Sequence, residues 1–284
     1  MIFVAIWMGL VALLVVTVKR KDVGPPTPAP GYVEKTAGPT EEDQWLINKN
    51  FSSCTSHLQE FMAAPDAAAR SLHVLRSSTT IARMARYYGE NPSATYTGEM
   101  RLDSHHVIHT PVGPAIETAW QLGEDQQIEA VFFEEAGDWK IDWDAFVRFN
   151  TEPWALFLSA QGPVEGVFRV LARERIGAAG KNDEYIGLVL GVPRPGHPGE
   201  ITSPSPEIKV PRASEMGVKI EQAFKARENG LGTFESIVVK NDPAEMIRLR
   251  VRVTREGEEE RQFKITELLG THWLEIDEAA IKAE

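Results

Sequence analysis

The chain has 284 residues, 43% apolar and 25% charged, with a formal net charge of −11; that length holds about two domains of ~150 residues, each able to bury a core. The acidic balance excludes a role dominated by phosphate contacts, which need clustered Lys and Arg. A single cysteine, Cys54, excludes a disulfide within the chain and a thiolate metal cluster.

In chain order, residues 1–18 (MIFVAIWMGLVALLVVTV) carry no charged side chain. As a helix they reach about 27 Å, enough for a ~30 Å hydrocarbon layer, so a transmembrane helix is expected there. Lys19, Arg20 and Lys21 follow and would hold its end at the headgroups. A cleaved signal peptide fits less well, because no basic stretch precedes Ile2 and no small-x-small site follows the run. The basic cluster after the span predicts a single-pass protein of the plasma membrane with its body in the cytoplasm. Residues 19–43 are this basic flank and a Pro-rich linker; between Asp22 and Thr40, five prolines and three glycines predict a semi-extended spacer.

Helical spacing begins at Asn48 to Ala64, with Phe51, Leu58, Phe61 and Met62 among polar residues. Pro65-Asp66 ends that helix and Asp66 caps the next. Ser78 or Thr79 is placed to cap a third, whose Ile81, Met84, Ala85 and Tyr88 form one stripe; Asn91-Pro92 ends it. The period then falls to two. Ile116, Thr118, Trp120 and Leu122 share a face; a Gly123-Glu124-Asp125 turn, an apolar strand at 127–135, an Ala136-Gly137-Asp138 hairpin and alternating Trp139, Ile141 and Trp143 complete an antiparallel meander buried on one side.

The run DAAARSLHVLRSSTTIARMARYYGENP (66–92) and the ending EEAGDWKIDWDAFVRF (134–149) resemble the helices and last hairpin of a nuclear-transport-factor-2-like domain. Such Gly-Asp-Trp-Lys-Ile-Asp-Trp endings recur in membrane-anchored bacterial proteins. The resemblance covers about a third of the chain, 48–149, and implies a cone in which a curved sheet wraps helices. That family contains isomerases and dehydratases as well as binding and docking domains, so it does not choose a function.

Beyond Trp154 the pattern is β-rich. Strands are expected at 166–176, 184–192, 207–210, 246–255 and 263–269, with a short one at Phe234 to Lys240. A Ser214-capped helix ends at Asn229-Gly230, and Pro193 to Pro206 reads as an exposed loop. The order resembles a small oligonucleotide/oligosaccharide-binding-type barrel. The expected class is thus α+β: a transmembrane helix (1–18), the linker (19–43), helices packed in a curved antiparallel sheet (44–152), and a small β-rich, barrel-like domain with one helix (153–284).

Chemistry is sparse. His105, His106 and His109 invite a metal, but on a strand 105 and 109 stand about 13 Å apart and 106 points the other way. Asp142 is expected to face outward and Asp144 to cap a short helix. Arg248, Arg250 and Arg252 form a ladder without interleaved aromatics, read as a solvated face. Tyr88, Tyr96 and Trp120 are the weak pocket candidates within an otherwise apolar interior. No nucleotide, metalloprotease or nucleophile-elbow motif is present. The reading is therefore a non-catalytic binding or docking module with no catalytic, cofactor or metal residues assigned. Its expected partners are the bilayer through residues 1–18 and a protein or a second copy, with no nucleic acid. An enzyme or small-molecule carrier using the cone interior is the alternative, and nucleic-acid or glycan binding by the barrel the second alternative.

Overall fold

Thr40 opens the first helix: its side chain accepts the Asp43 N–H and Asp43 accepts the Thr40 N–H, each at 3.1 Å, a reciprocal capping box. The computed structural model describes residues 38–92, 95–178, 180–256 and 262–276, which from Pro39 onward pack as one unit. Three helices come first, α1 (Glu41–Ala63), α2 (Ala67–Ser71) and α3 (Ser77–Glu90). Asp66 caps α2 through the Ala69 N–H, as its sequence predicts. α3 enters instead through Arg76, in the left-handed region with no side-chain cap, not through Ser78 or Thr79. It buries Thr80 and Met84, with Tyr87 and Tyr88 on the same core, while Ala85 is exposed. Its inner stripe is therefore rotated from the expected one.

The membrane-spanning architecture expected from the sequence is corrected. Among the described residues no helix is long and apolar enough to cross a membrane. α1 has the length, 23 residues, but Glu41, Glu42, Asp43, Lys49 and Glu60 along it are incompatible with hydrocarbon. The run at 1–18 and its flank Lys19, Arg20 and Lys21 lie outside the described residues. The structure is an α+β body with antiparallel sheets, and the single-pass, plasma-membrane placement is withdrawn.

The first sheet is the meander β1 (Met100–Thr110), β2 (Gly113–Leu122), β3 (Gln126–Glu135) and β4 (Asp138–Ile141), in that order. Ala136 and Gly137 join β3 to β4 with φ of 54° and 85°, a two-residue hairpin whose twist suits the strands. One face carries Ile116, Trp120, Phe132 and Ile141 against Leu58, Phe61 and Met84 of the helices. The other carries Ala115, Val131 and Phe133 against Leu274 and Ile276 near the C-terminus. The expected one-sided burial is thus two-sided, because the rest of the chain folds back onto the outer face.

Two short helices, α4 (Trp143–Phe146) and α5 (Trp154–Leu158), lead to the second sheet. Its strands are β5 (Glu165–Glu174), β6 (Tyr185–Arg194), β7 (His197–Thr202), β8 (Ile208–Pro211), β9 (Met246–Glu256) and β10 (Gln262–Gly270). The order is β10-β9-β5-β6-β7, with β8 also on β6. Among the described residues no ladder joins β10 to β7 or β8, although β10 runs close to β8, so the expected barrel is not closed by hydrogen bonds. Ser214 caps α6 (Glu215–Glu228) as predicted, and Ile220 meets Phe168, Leu188, Leu249 and Val251 in the second core.

Two connections differ from expectation. Residues 193–206 contain β7 and a Pro195-Gly196 turn, with Gly196 at φ 75°. Residues 234–240 form 3-10 turns, because Phe234 and Glu235 both take φ 60° and cannot extend a strand. The buried carboxylate of Glu117 on β2 holds this segment, accepting the Ser236 hydroxyl at 2.7 Å and the Ile237 and Val238 N–H groups.

Candidate functional site

Between the helices of the N-terminal half and the β6–β7 hairpin lies a pocket of about 580 Å³, a size that accommodates a small organic ligand. Phe61 and Met62 end α1 just before Pro65 breaks it, and Tyr87 and Tyr88 come from the last full turn of α3. Ile128 and Glu129 come from β3, Phe146 from the end of α4 and residues 147–153 from the stretch after it, and Val192, Pro193, Pro195, Gly196 and Thr202 from the hairpin. The hairpin is fixed there by the Gln127 N–H, which donates to the Gly196 carbonyl at 2.8 Å.

Arg148 stands at the inner wall. It follows α4 in the left-handed region, φ 53°, a conformation that costs energy in a non-glycine residue. Its guanidinium lies 5.0 Å over the Trp273 ring, and only 12% of the side chain is exposed. Among the described residues its one ionic contact is Glu129, at 3.8 Å, and its guanidinium makes no hydrogen bond. Glu129 is already committed: Arg248 donates to it at 2.8 Å and Asn241 at 3.4 Å. Burial pulls the Arg148 guanidinium below arginine's ordinary range, with Glu129 opposing, yet arginine starts so high that it keeps its charge.

The remaining walls set the rings of Phe61, Tyr87, Tyr88, Phe146 and Phe149 among polar and aliphatic residues. The Arg70 guanidinium lies 4.4 Å over the Tyr88 ring and its Nε donates to the Ala64 carbonyl. The Tyr88 hydroxyl accepts the Trp143 indole N–H at 3.2 Å. Burial pushes both the Tyr87 and Tyr88 phenols up, so both stay neutral. At the rim Arg86 pairs with Glu90. Behind the pocket, sharing Glu129, Phe146 and Arg148 as a wall, is a second cavity of about 50 Å³ between the two sheets, room for a few waters only.

No family model, curated protein or solved structure matches the chain.

Of the three pocket candidates read from the sequence, Tyr88 alone lines this pocket, beside Phe61 and Met62 of the α1 pattern. Tyr96 lies outside it, its hydroxyl donating to the Glu99 carbonyl. Trp120 is buried in the first core, stacked on Phe51, with its indole N–H on Thr118. The three histidines of β1 do not converge: His105 packs on Phe51 and His109 sits 3.0 Å from Asp43. Asp142, expected outside, is buried and is itself the cap of α4, accepting the Ala145 and Glu275 N–H groups. Asp144, the expected cap, is buried in the first turn beside Arg83. The arginine ladder is solvated only at Arg252. Arg248 is buried between Asp242 and Glu129, and Arg250 is buried on Glu275. Burial works against the Arg248 charge, but Asp242 and Glu129 prevail and hold its guanidinium above the usual range.

Sequence reasoning passed over Arg148 and Glu129. Glu129 occupies a polar position in an alternating strand, and Arg148 looks like any residue of the helix end DAFVRF. Their pairing spans nineteen positions, and the only local signal is a charge placed within an aromatic run.

Proposed function

We propose that this protein is a non-catalytic binding module whose pocket takes a small organic anion with a flat apolar body. One observation carries the reading: the guanidinium of Arg148, on a side chain only 12% exposed, has hydrogen-bond donors without acceptors among the described residues and borders a 580 Å³ pocket that five aromatic rings help to line. None of its nitrogens is both sealed from the surface and unpartnered, so they stay reachable, and an arginine fork matches a carboxylate or phosphate in two-pronged geometry. The rings of Phe61, Tyr87, Tyr88 and Phe149 would cover the apolar part. Binding is favoured over proton transfer because the inner carboxylate, Glu129, is bound to Arg248 and Asn241. A nuclear-transport-factor-2-like domain over 48–149 remains part of the proposal, supported by helices packed on one face of a four-stranded meander.

The test is calorimetric titration of the full chain with aryl carboxylates, such as benzoate and 2-naphthoate, beside their neutral amides. Carboxylates are expected to bind and amides to bind at least tenfold more weakly. Arg148→Gln should erase that preference, and Thr202→Trp, at an exposed edge of the pocket, should weaken both. Equal affinity for acid and amide, or acid binding unaffected by either variant, overturns the reading.

A further inference from the structure

Outside the pocket lining, a second group of side chains converges on α1 and the connection between α2 and α3. His57 and Glu60 are three residues apart on α1 and so share a face. His73 lies in the connection between α2 and α3. The Nδ1 atoms of His57 and His73 are 3.0 Å apart, and a Glu60 carboxylate oxygen is 3.5 Å from His73 Nδ1. One ligand atom from each of the three falls within 4.8 Å of the others. We propose that His57, His73 and Glu60 bind a divalent first-row transition-metal ion, with Zn²⁺ as its probe.

The tautomer of His57 supports this. Its Nε2 sits 2.9 and 3.0 Å from the two carboxylate oxygens of Asp138, so Nε2 carries the proton and donates it. The Nδ1 lone pair is then turned toward His73, whose Nδ1–H donates to it in the metal-free protein and would give up that proton on ligating an ion. A carboxylate holding the far nitrogen of a ligating histidine is the usual outer support of a metal site. With metal–nitrogen bonds of about 2.05 Å, nitrogens 3.0 Å apart subtend about 95° at the ion, and a tetrahedral angle needs them only about 0.3 Å farther apart. Two imidazoles and one carboxylate are a donor set for Zn²⁺ or Fe²⁺ rather than for Mg²⁺ or Ca²⁺.

The backbone prearranges the group. Ile141 of β4 donates its N–H to the His73 carbonyl, and Leu75 donates to the Ile141 carbonyl, each at 3.0 Å. Those bonds fix His73 to the strand that begins with Asp138, and Asp138 fixes His57. Lys140 is the opposing charge: its ammonium is 2.8 Å from Asp138 and donates to the Leu72 carbonyl. Glu60 and Asp138 together outweigh it, leaving one net negative charge beside the two rings. Glu60 is 59% exposed while both histidines are largely buried, so the ion would keep one position open to water.

The full-length protein, stripped with chelator, is titrated with ZnCl₂ by calorimetry at neutral pH. One ion should bind per chain and raise the melting temperature. Glu60→Gln, at a surface position that folding tolerates, should weaken binding at least tenfold, and His73→Gln further. Asp138→Asn should cost about 10- to 100-fold through the orientation of His57. The doubly substituted His105→Ala, His109→Ala protein should bind like the wild type. Absence of one-to-one uptake, uptake unchanged in Glu60→Gln and His73→Gln, or uptake that follows His105 and His109 overturns the proposal. The pocket at Arg148 has no part in this experiment, so either proposal can fail alone.

Discussion

Arg248 of β9 donates to Glu129 of β3 at 2.8 Å, joining the second sheet to the first through a buried ion pair. The same guanidinium takes both oxygens of Asp242, at 2.6 and 3.0 Å. Arg248 thus binds two carboxylates whose side chains are 9% and 1% exposed, with Arg148 a more distant second cation 3.8 Å from Glu129. Removing one partner of such a group leaves the others uncompensated, which costs about 3–5 kcal/mol. Arg248→Gln is expected to lower unfolding stability by that amount, read by urea denaturation. A loss below about 1 kcal/mol would show that the cluster is not dry.

The β3–β4 turn offers a pair of opposite effects. Gly137 has φ 85°, and a Cβ there would meet nothing within 4 Å, so Gly137→Ala tests backbone strain alone. It is expected to cost about 1–2 kcal/mol. Ala136, at φ 54°, already bears that strain, and Ala136→Asn should recover roughly 0.5 kcal/mol, because asparagine suits the first position of this turn. Thermal unfolding of both variants checks the signs; matching signs would argue against this turn geometry.

This turn was legible because two adjacent residues decide it. The same holds for the Asp66 and Ser214 caps and for the strand expected at 246–255, where Ile247, Leu249 and Val251 alternate into the core. What could not be read depends on which second surface covers a strand. Arg248 and Arg250 look solvated until β3 and residues 272–276 are folded over them. Asp142 looks exposed until the Glu275 N–H reaches it. Pro, Ser and Gly between 193 and 206 hide a hairpin, since composition marks its turn but not its pairing with β6. The histidines show the same limit: the dense run at 105–109 is stretched along a strand, while His57 and His73 meet across sixteen positions. The one local trace of that site is His57-x-x-Glu60 on a helix.

Cys54 is 1% exposed, and burial pushes its thiol up to about 12. At pH 8 the thiolate fraction is then on the order of 10⁻⁴, against a sizeable fraction for a free thiol. Native protein should resist a disulfide-exchange reagent such as dithionitrobenzoate, and one equivalent should react in urea. Full labelling of native protein within minutes would mean that α1 opens locally without global unfolding.

Asp144 gives the clearest dependence on pH. Burial pushes its carboxyl up to about 6, outweighing the pull of Arg169 and Arg83. Arg83 reaches one oxygen at 3.0 Å, while the other, Oδ1, has no partner among the described residues. An unfolded aspartate titrates near 3.9. Between about pH 4 and 6 the folded chain therefore holds the extra proton, so this group's contribution to stability falls as pH rises through that window and is level above it. The difference amounts to roughly 3 kcal/mol as an order of magnitude. Asp144→Asn keeps the shape and an acceptor for Arg83 but cannot ionise. Relative to wild type, the variant should therefore gain stability steadily from pH 4 to pH 6 and hold that gain at pH 7. Denaturation of both proteins at each pH measures the gap, and a gap that stays constant from pH 4 to pH 7 would place the Asp144 carboxyl in its ordinary range.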